Sequence, residues 1–178
     1  MCLVLVLALG VMGGGVAYFS DTTVINITLT AGHWEQGGSP GFWKNWDKHS
    51  TYTETDILDF LDAVDEASDW LVPDTDNNGV DISDMEAVFE AGQGGTMEQK
   101  FLRQYLATWL NVEAGRLLGS TVHVLSDCDP SNYLGLGGQG TLWEIIAAIE
   151  SKYGTPPPTD DEFEIMKDIC DALNKLEI

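Results

Sequence analysis

A mainly α protein, a secreted helical bundle of about five helices behind an N-terminal β-strand arm, is what three features of the sequence predict. Ser/Thr-x-x-Glu/Gln boxes recur ahead of amphipathic stretches, the pattern that satisfies the orphan amides of a helix start. A single alternating stretch stands near the front with no second one close by. An uncharged apolar run precedes it. The organisation that follows is a signal peptide over 1–17, a strand arm over 18–36 and a helical domain over 37–178.

The run "MCLVLVLALGVMGGGVA" (1–17) carries no charge and ends in small residues, which reads as the apolar region and cleavage end of a secretory leader. It lacks a basic start, so the precursor is expected to begin upstream or to have been clipped. An uncleaved membrane anchor is the rival reading, and it is the only membrane contact expected of the chain. Gly13, Gly14 and Gly15 weaken a spanning helix, and no basic flank follows, so cleavage is favoured. Cys2, within this run, is assigned no role.

In "TTVINITLT" Val24, Asn26, Thr28 and Thr30 alternate with Ile25, Ile27 and Leu29. Period two with β-branched residues is a strand with one apolar face. Burying each of those three side chains contributes roughly 1.5–3 kcal/mol, provided that a sheet receives them. With no neighbouring strand in the sequence, the sheet is expected in another polypeptide. Asn26-Ile27-Thr28 is also a glycosylation sequon, which would place a glycan at Asn26 on the polar face.

A break at "GGSPG" (37–41) opens the body. Thr53 to about Leu71 sets Ile57, Phe60, Leu61, Val64, Ala67 and Leu71 on one stripe. Ser83–Glu86 opens a short helix ending at Gly92. Thr96–Gln99 opens one carrying Phe101, Leu102, Tyr105, Leu106, Trp109 and Leu110. Thr141–Glu144 opens one with Leu142, Ile145, Ile146 and Ile149, closed by Gly154. Thr159–Glu162 opens the last, with Phe163, Met166, Ile169, Cys170, Leu173 and Leu176. Pro156–Pro158 stiffen the last connection, and 118–140 reads as a long loop. Such a set packs as a bundle.

The chain has 29 acidic against 8 basic residues and a net charge of -21. That field excludes nucleic acid and anionic lipid as partners and favours cations or a saline, solvated surface. Asp74, Asp76 and Asn78 occupy the first, third and fifth positions of a calcium-type loop, with Gly79 at the turn. The twelfth position is Met85, so Asp81 or Asp84 must complete a non-standard site; an ordinary solvated turn is the alternative. Calcium is the one cofactor the sequence suggests. Cys128 and Cys170 are the pair left after leader removal, and an oxidising compartment would bridge them, unless Cys170 is only a small buried residue on its apolar stripe.

Signatures of an enzyme are weak. His33, His49 and His123 have no metal-ligand spacing, there is no nucleotide or nucleophile motif, and carboxylate pairs such as Asp127 and Asp129 are expected in so acidic a chain. "GLGGQG" follows no strand and serves turns. Trp34, Trp43 and Trp46 form either a sugar-stacking platform or a cover over a core edge. A non-enzymatic protein is expected, with a calcium- or glycan-binding module as the alternative.

Two resemblances add to this. The leader followed by Ala17, Tyr18, Phe19, Ser20, Asp21 and Thr22, then the strand and Thr30, Ala31 and Gly32, resembles the export signal of the TasA and camelysin class of surface and biofilm-fibre proteins, processed by SipW-type peptidases in bacteria and related enzymes in archaea. The resemblance implies cleavage between Ala17 and Tyr18, an extracellular or cell-surface location, and a strand donated to a neighbouring subunit, either another copy or a β-sandwich fibre protein. The body departs from that class, whose fibre subunits are β-sandwiches. Residues 40–45, "PGFWKN", with 104–111 ending in Leu-Asn, resemble a recurrent secreted domain of unknown function, which implies an extracellular module and no particular reaction.

Overall fold

The computed structural model describes residues 38–154 and 156–175. The leader, the cleavage point Ala17/Tyr18, the strand residues Ile25, Ile27 and Leu29, the sequon at Asn26, and His33, Trp34 and Leu176 lie outside the described residues. Within them the chain is mainly α, as expected. Its helices are α1 (Pro40–Lys44), a 3-10 turn (Trp46–Lys48), α2 (Glu54–Ala67), α3 (Ile82–Ala91), α4 (Met97–Glu113), α5 (Leu142–Lys152) and α6 (Asp160–Asn174). Strands β1 (Val122–Val124) and β2 (Gln139–Thr141) form an antiparallel ribbon in the expected long loop, pairing His123 with Gly140. Three residues per strand are too few to show as alternation in a sequence.

Helix starts follow the capping logic closely. Thr96–Gln99, Thr141–Glu144 and Thr159–Glu162 form reciprocal capping boxes at α4, α5 and α6. Two starts differ from expectation. α2 is boxed by Thr53 and Asp56, a shorter carboxylate that does the same work. α3 begins two residues early: Asp81 is its cap and Asp84 closes the box, so Ser83 and Glu86 do not form the one anticipated. α2 also stops at Ala67, and Leu71 enters the core from the turn behind it.

α4 is the central element. It packs along α6 and also meets α1, α2 and α3. Its core side chains Phe101, Tyr105, Leu106 and Leu110 are fully buried among Ile57, Leu61 and Val64 of α2, Met85 and Phe89 of α3, Ile145 and Ile149 of α5, and Met166 and Ile169 of α6.

Asn111, at the end of α4, ties the entrance of the body to this core. Its Oδ1 accepts the Gly38 amide at 2.5 Å and the Trp43 indole N–H at 3.0 Å. Its Nδ2 donates to the Gly38 carbonyl and to Asn174 Oδ1, both at 2.9 Å. Asn174 in turn donates to the Gln104 carbonyl at 2.9 Å and accepts from Thr108 Oγ1 at 3.1 Å. A Cβ on Gly38 would lie 2.5 Å from the Trp43 indole nitrogen and 2.9 Å from Asn111 Oδ1, so the backbone reaches the amide only because it is glycine. Arg116 closes the outside, its guanidinium 4.2 Å above the Phe42 ring and its Nε donating to the Tyr52 hydroxyl at 2.8 Å.

Two outcomes follow. Asn111→Ala leaves the Gly38 amide and carbonyl and the Trp43 indole without their partner in a dry core and takes one of the two donors from Asn174 Oδ1; the loss should reach about 3 kcal/mol or more, read as a melting temperature lower by roughly 10 °C. The Glu162 carboxyl is held below its usual range by the Thr159 amide and then its hydroxyl. A depressed carboxyl adds stability in full above about pH 4.5, which is lost as the pH falls through the folded value. Thr159→Ala should therefore melt roughly 2–4 °C lower at neutral pH, and the gap from wild type should narrow in melts below pH 4.

Candidate functional site

The connection from α2 to α3 carries the strongest cluster of oxygen ligands. Leu71 and Val72 are anchored in the core, which delivers the chain to Asp74 at the surface. Asp74 then organises the turn: its Oδ1 accepts the amides of Asn77 (2.7 Å) and Asn78 (3.2 Å), and its Oδ2 that of Gly79 (3.1 Å). Asn77 and Gly79 have φ values of 62° and 98°, the left-handed conformations that Asn tolerates and Gly takes freely. Those amides, the Gly79 one foremost, hold the Asp74 carboxyl below its ordinary range, so it is ionised wherever the protein is folded near neutral pH. Asp76 accepts the side-chain amide of Asn78 at 2.8 Å.

Asp84 arrives from the first turn of α3 and is 2% exposed. Its Oδ1 accepts the Thr75 hydroxyl (2.7 Å) and amide (3.2 Å), and its Oδ2 accepts the Asp81 amide (3.3 Å). A buried carboxylate thus faces back into the loop. One oxygen each of Asp74, Asp76 and Asp84 lies within 4.8 Å of the others. Calcium binds oxygen at 2.3–2.6 Å, so two ligands on opposite sides of one ion are about 5 Å apart; the spread fits a single ion. Among the described residues no lysine or arginine pairs with any of the three.

The structure therefore chooses between the two completions that the sequence leaves open. Asp84 joins Asp74 and Asp76. Asp81 faces its own helix, accepting the Ser83 hydroxyl and amide at 2.7 Å each, and Asn78 braces Asp76. The start of α3 at Ile82 is what turns Asp84 toward the loop and Asp81 away from it.

The expected disulfide is corrected, and the other singled-out residues take structural places. Cys128 and Cys170 are free thiols rather than a bridge. Cys170 is fully buried on the core face of α6, and Cys128 donates to the Leu125 carbonyl at 3.5 Å. Burial pushes both thiols up, which disfavours the thiolate needed for exchange. Trp43 is fully buried beneath Tyr52 and cannot stack on a sugar. His49 stacks on Phe42 while His123 is buried on β1 with its pKa lowered by burial. Asp129, 3% exposed, accepts the amides of Tyr133 and Leu134 and shapes its loop. The "GLGGQG" glycines at 135, 137 and 138 take positive φ in turns.

One polar centre went unanticipated. Glu150 accepts from Ser68 Oγ (2.8 Å), the Trp70 indole (2.8 Å) and the Tyr105 hydroxyl (2.6 Å). Its only sequence signal is a carboxylate bordering the apolar stripe of Ile146 and Ile149. Burial first, then Glu150, pushes the Tyr105 phenol far above its usual range, so Tyr105 stays a donor. The trio pins α5 to α4 and to the α2 exit. No known protein family, curated protein or solved structure matches the chain.

Glu150→Ala would strand the Tyr105, Ser68 and Trp70 donors. Denaturant unfolding should show a loss of about 2–4 kcal/mol, accompanied by a change in Trp fluorescence as Trp70 loses its stacked place over Tyr153.

Proposed function

We propose that the protein is an exported, non-catalytic interaction module that binds calcium in the loop between α2 and α3. The convergence of Asp74, Asp76 and Asp84 carries this reading. Two of these carboxylates are held in place by backbone amides and the third by α3, so a cation would meet preorganised oxygens. The ion would bridge the α2 exit to the α3 start and relieve the mutual repulsion of the three groups. The charge-free leader over 1–17 supports export, and outside the cell even a weak site with Kd of about 10⁻⁴–10⁻³ M would fill.

A second element of this reading rests on the pattern of Val24–Thr30. That segment engages a protein subunit of an extracellular filament, biofilm matrix or envelope by adding a strand to a sheet edge, with main-chain bonds for affinity and Ile25, Ile27 and Leu29 for register.

Thermal melts with added calcium test the loop. At calcium 100-fold above Kd the protein should gain about 2.7 kcal/mol, a rise of several degrees. Asp76→Asn, which keeps the Asn78 contact in neutral form, should remove most of that rise while leaving the metal-free melt nearly unchanged. A wild-type melt that calcium does not move rejects the site.

A further inference from the structure

We propose that the outer edge of β1 receives the Val24–Thr30 segment of a second copy of the chain. The inference rests on the docking role proposed for that segment and supplies its acceptor. In the ribbon Leu125 N donates to Gly138 O and Leu142 N to Thr121 O. With Val122 opposite Thr141 and Val124 opposite Gln139, the residues bonded across the ribbon are 121, 123 and 125. The amides and carbonyls of Val122 and Val124 therefore point away from β2. The far edge of β2 differs, because the Thr141 amide is taken by Glu144 Oε2 at 2.8 Å.

The open edge is apolar. Val122 and Val124 are 59% and 74% exposed, while His123 between them is buried. Leu118, 64% exposed, precedes them, and Trp143, 49% exposed, borders the same turn, its amide donating to Gly119 O at 3.1 Å. Natural edge strands are usually blunted by charge, proline or a bulge. Residues 117–126 hold no acidic or basic side chain other than His123, in a chain of net charge -21.

The occupant must be an extended, uncharged strand with apolar alternate positions. Thr22–Gly32 has no charge and carries that pattern. Residues 31–37 separate it from the first described residue, Gly38, and span up to about 25 Å when extended, enough to reach a neighbouring molecule. Laid beside β1, its backbone pairs with the free groups of Val122 and Val124, and Ile25, Ile27 and Leu29 lie on the face that those valines expose. Donor and acceptor are different surfaces, so the contact is head-to-tail and repeats.

The test uses the full secreted chain, followed by light scattering behind size exclusion across a concentration series. Wild type should exceed monomer mass as concentration rises. Val122→Glu/Val124→Glu, which blocks the acceptor, and Ile25→Asp/Ile27→Asp, which blocks the donor, should each stay monomeric. Mixed at equal amounts they should form a dimer and stop there, because the mixture holds one intact donor and one intact acceptor. Val124→Pro removes an outward amide without adding charge and should behave as the acceptor variant, its fold checked by circular dichroism. A monomeric wild type, a blocked acceptor that still assembles, or a mixture that stays monomeric overturns the proposal. If wild type is monomeric yet Ile25→Asp/Ile27→Asp still loses surface retention, the strand docks on a different protein; if retention is unchanged, the docking role falls as well.

Discussion

Every bond that Asn111 can make is made inside the protein, and the placement of the whole front of the body depends on it. Both lone-pair directions of its oxygen and both hydrogens of its nitrogen are engaged, by Gly38, Trp43 and Asn174. Such a side chain is favourable only as part of a complete set, since each missing partner would leave a polar atom in a dry interior. The set therefore admits one arrangement: Gly38 against α4, the Trp43 ring edge-on to its amide, and the end of α6 alongside. The backbone carbonyl of the same residue accepts the Arg116 and Leu117 amides, which ends α4 and turns Arg116 over the aromatic entrance. The two short motifs singled out in the sequence, Pro-Gly-Phe-Trp-Lys-Asn and the Leu-Asn in the last turn of α4, are the two halves of this one contact.

Much of the helical body was legible because its determinants are local. A capping threonine and a carboxylate or amide three residues later act within one turn, and they mark α4, α5 and α6 without reference to anything distant. The apolar stripes were legible for the same reason. What could not be read depends on contacts far apart in the chain. α1 owes its five residues to Ser39 as a cap and to the burial of Trp43 at Asn111. Glu150 is held by residues 80 and 82 positions earlier. The ribbon lies in a stretch whose turn residues dominate its composition, and its inner positions are a histidine and a glycine, neither a strand signal.

At the loop the sequence was informative about residue type and indecisive about geometry. Alternate Asp, Asp and Asn with a following glycine describe a turn whose oxygens converge, but a single residue decides which later carboxylate joins them. Asp81 and Asp84 are one helical turn apart and compete for the same start. Asp81 takes the cap because its side chain reaches the Ser83 and Asp84 amides, and the helix then carries Asp84 round to Thr75. Capping and the convergence of the carboxylates are thus one event seen from two sides: the amide that Asp81 offers to Asp84 fixes one carboxylate oxygen and leaves the other aimed at the loop.

The charge of the chain gives the small ribbon a weight that its size would not. With eight basic residues to set against twenty-nine acids, ion pairs such as Lys44–Glu90 neutralise little of the surface. Two bodies approaching face to face meet repulsion over most of their area. Physiological salt reduces that to a range of about 8 Å, so contact is cheapest where a thin neutral element bridges a longer gap. If Val24–Thr30 docks as proposed, a strand on a seven-residue tether would be such an element, and an uncharged edge would receive it with the least desolvation of acid groups. On that proposal the acidic coat and the open edge would act together, the first keeping bodies apart and the second selecting the one geometry in which they join.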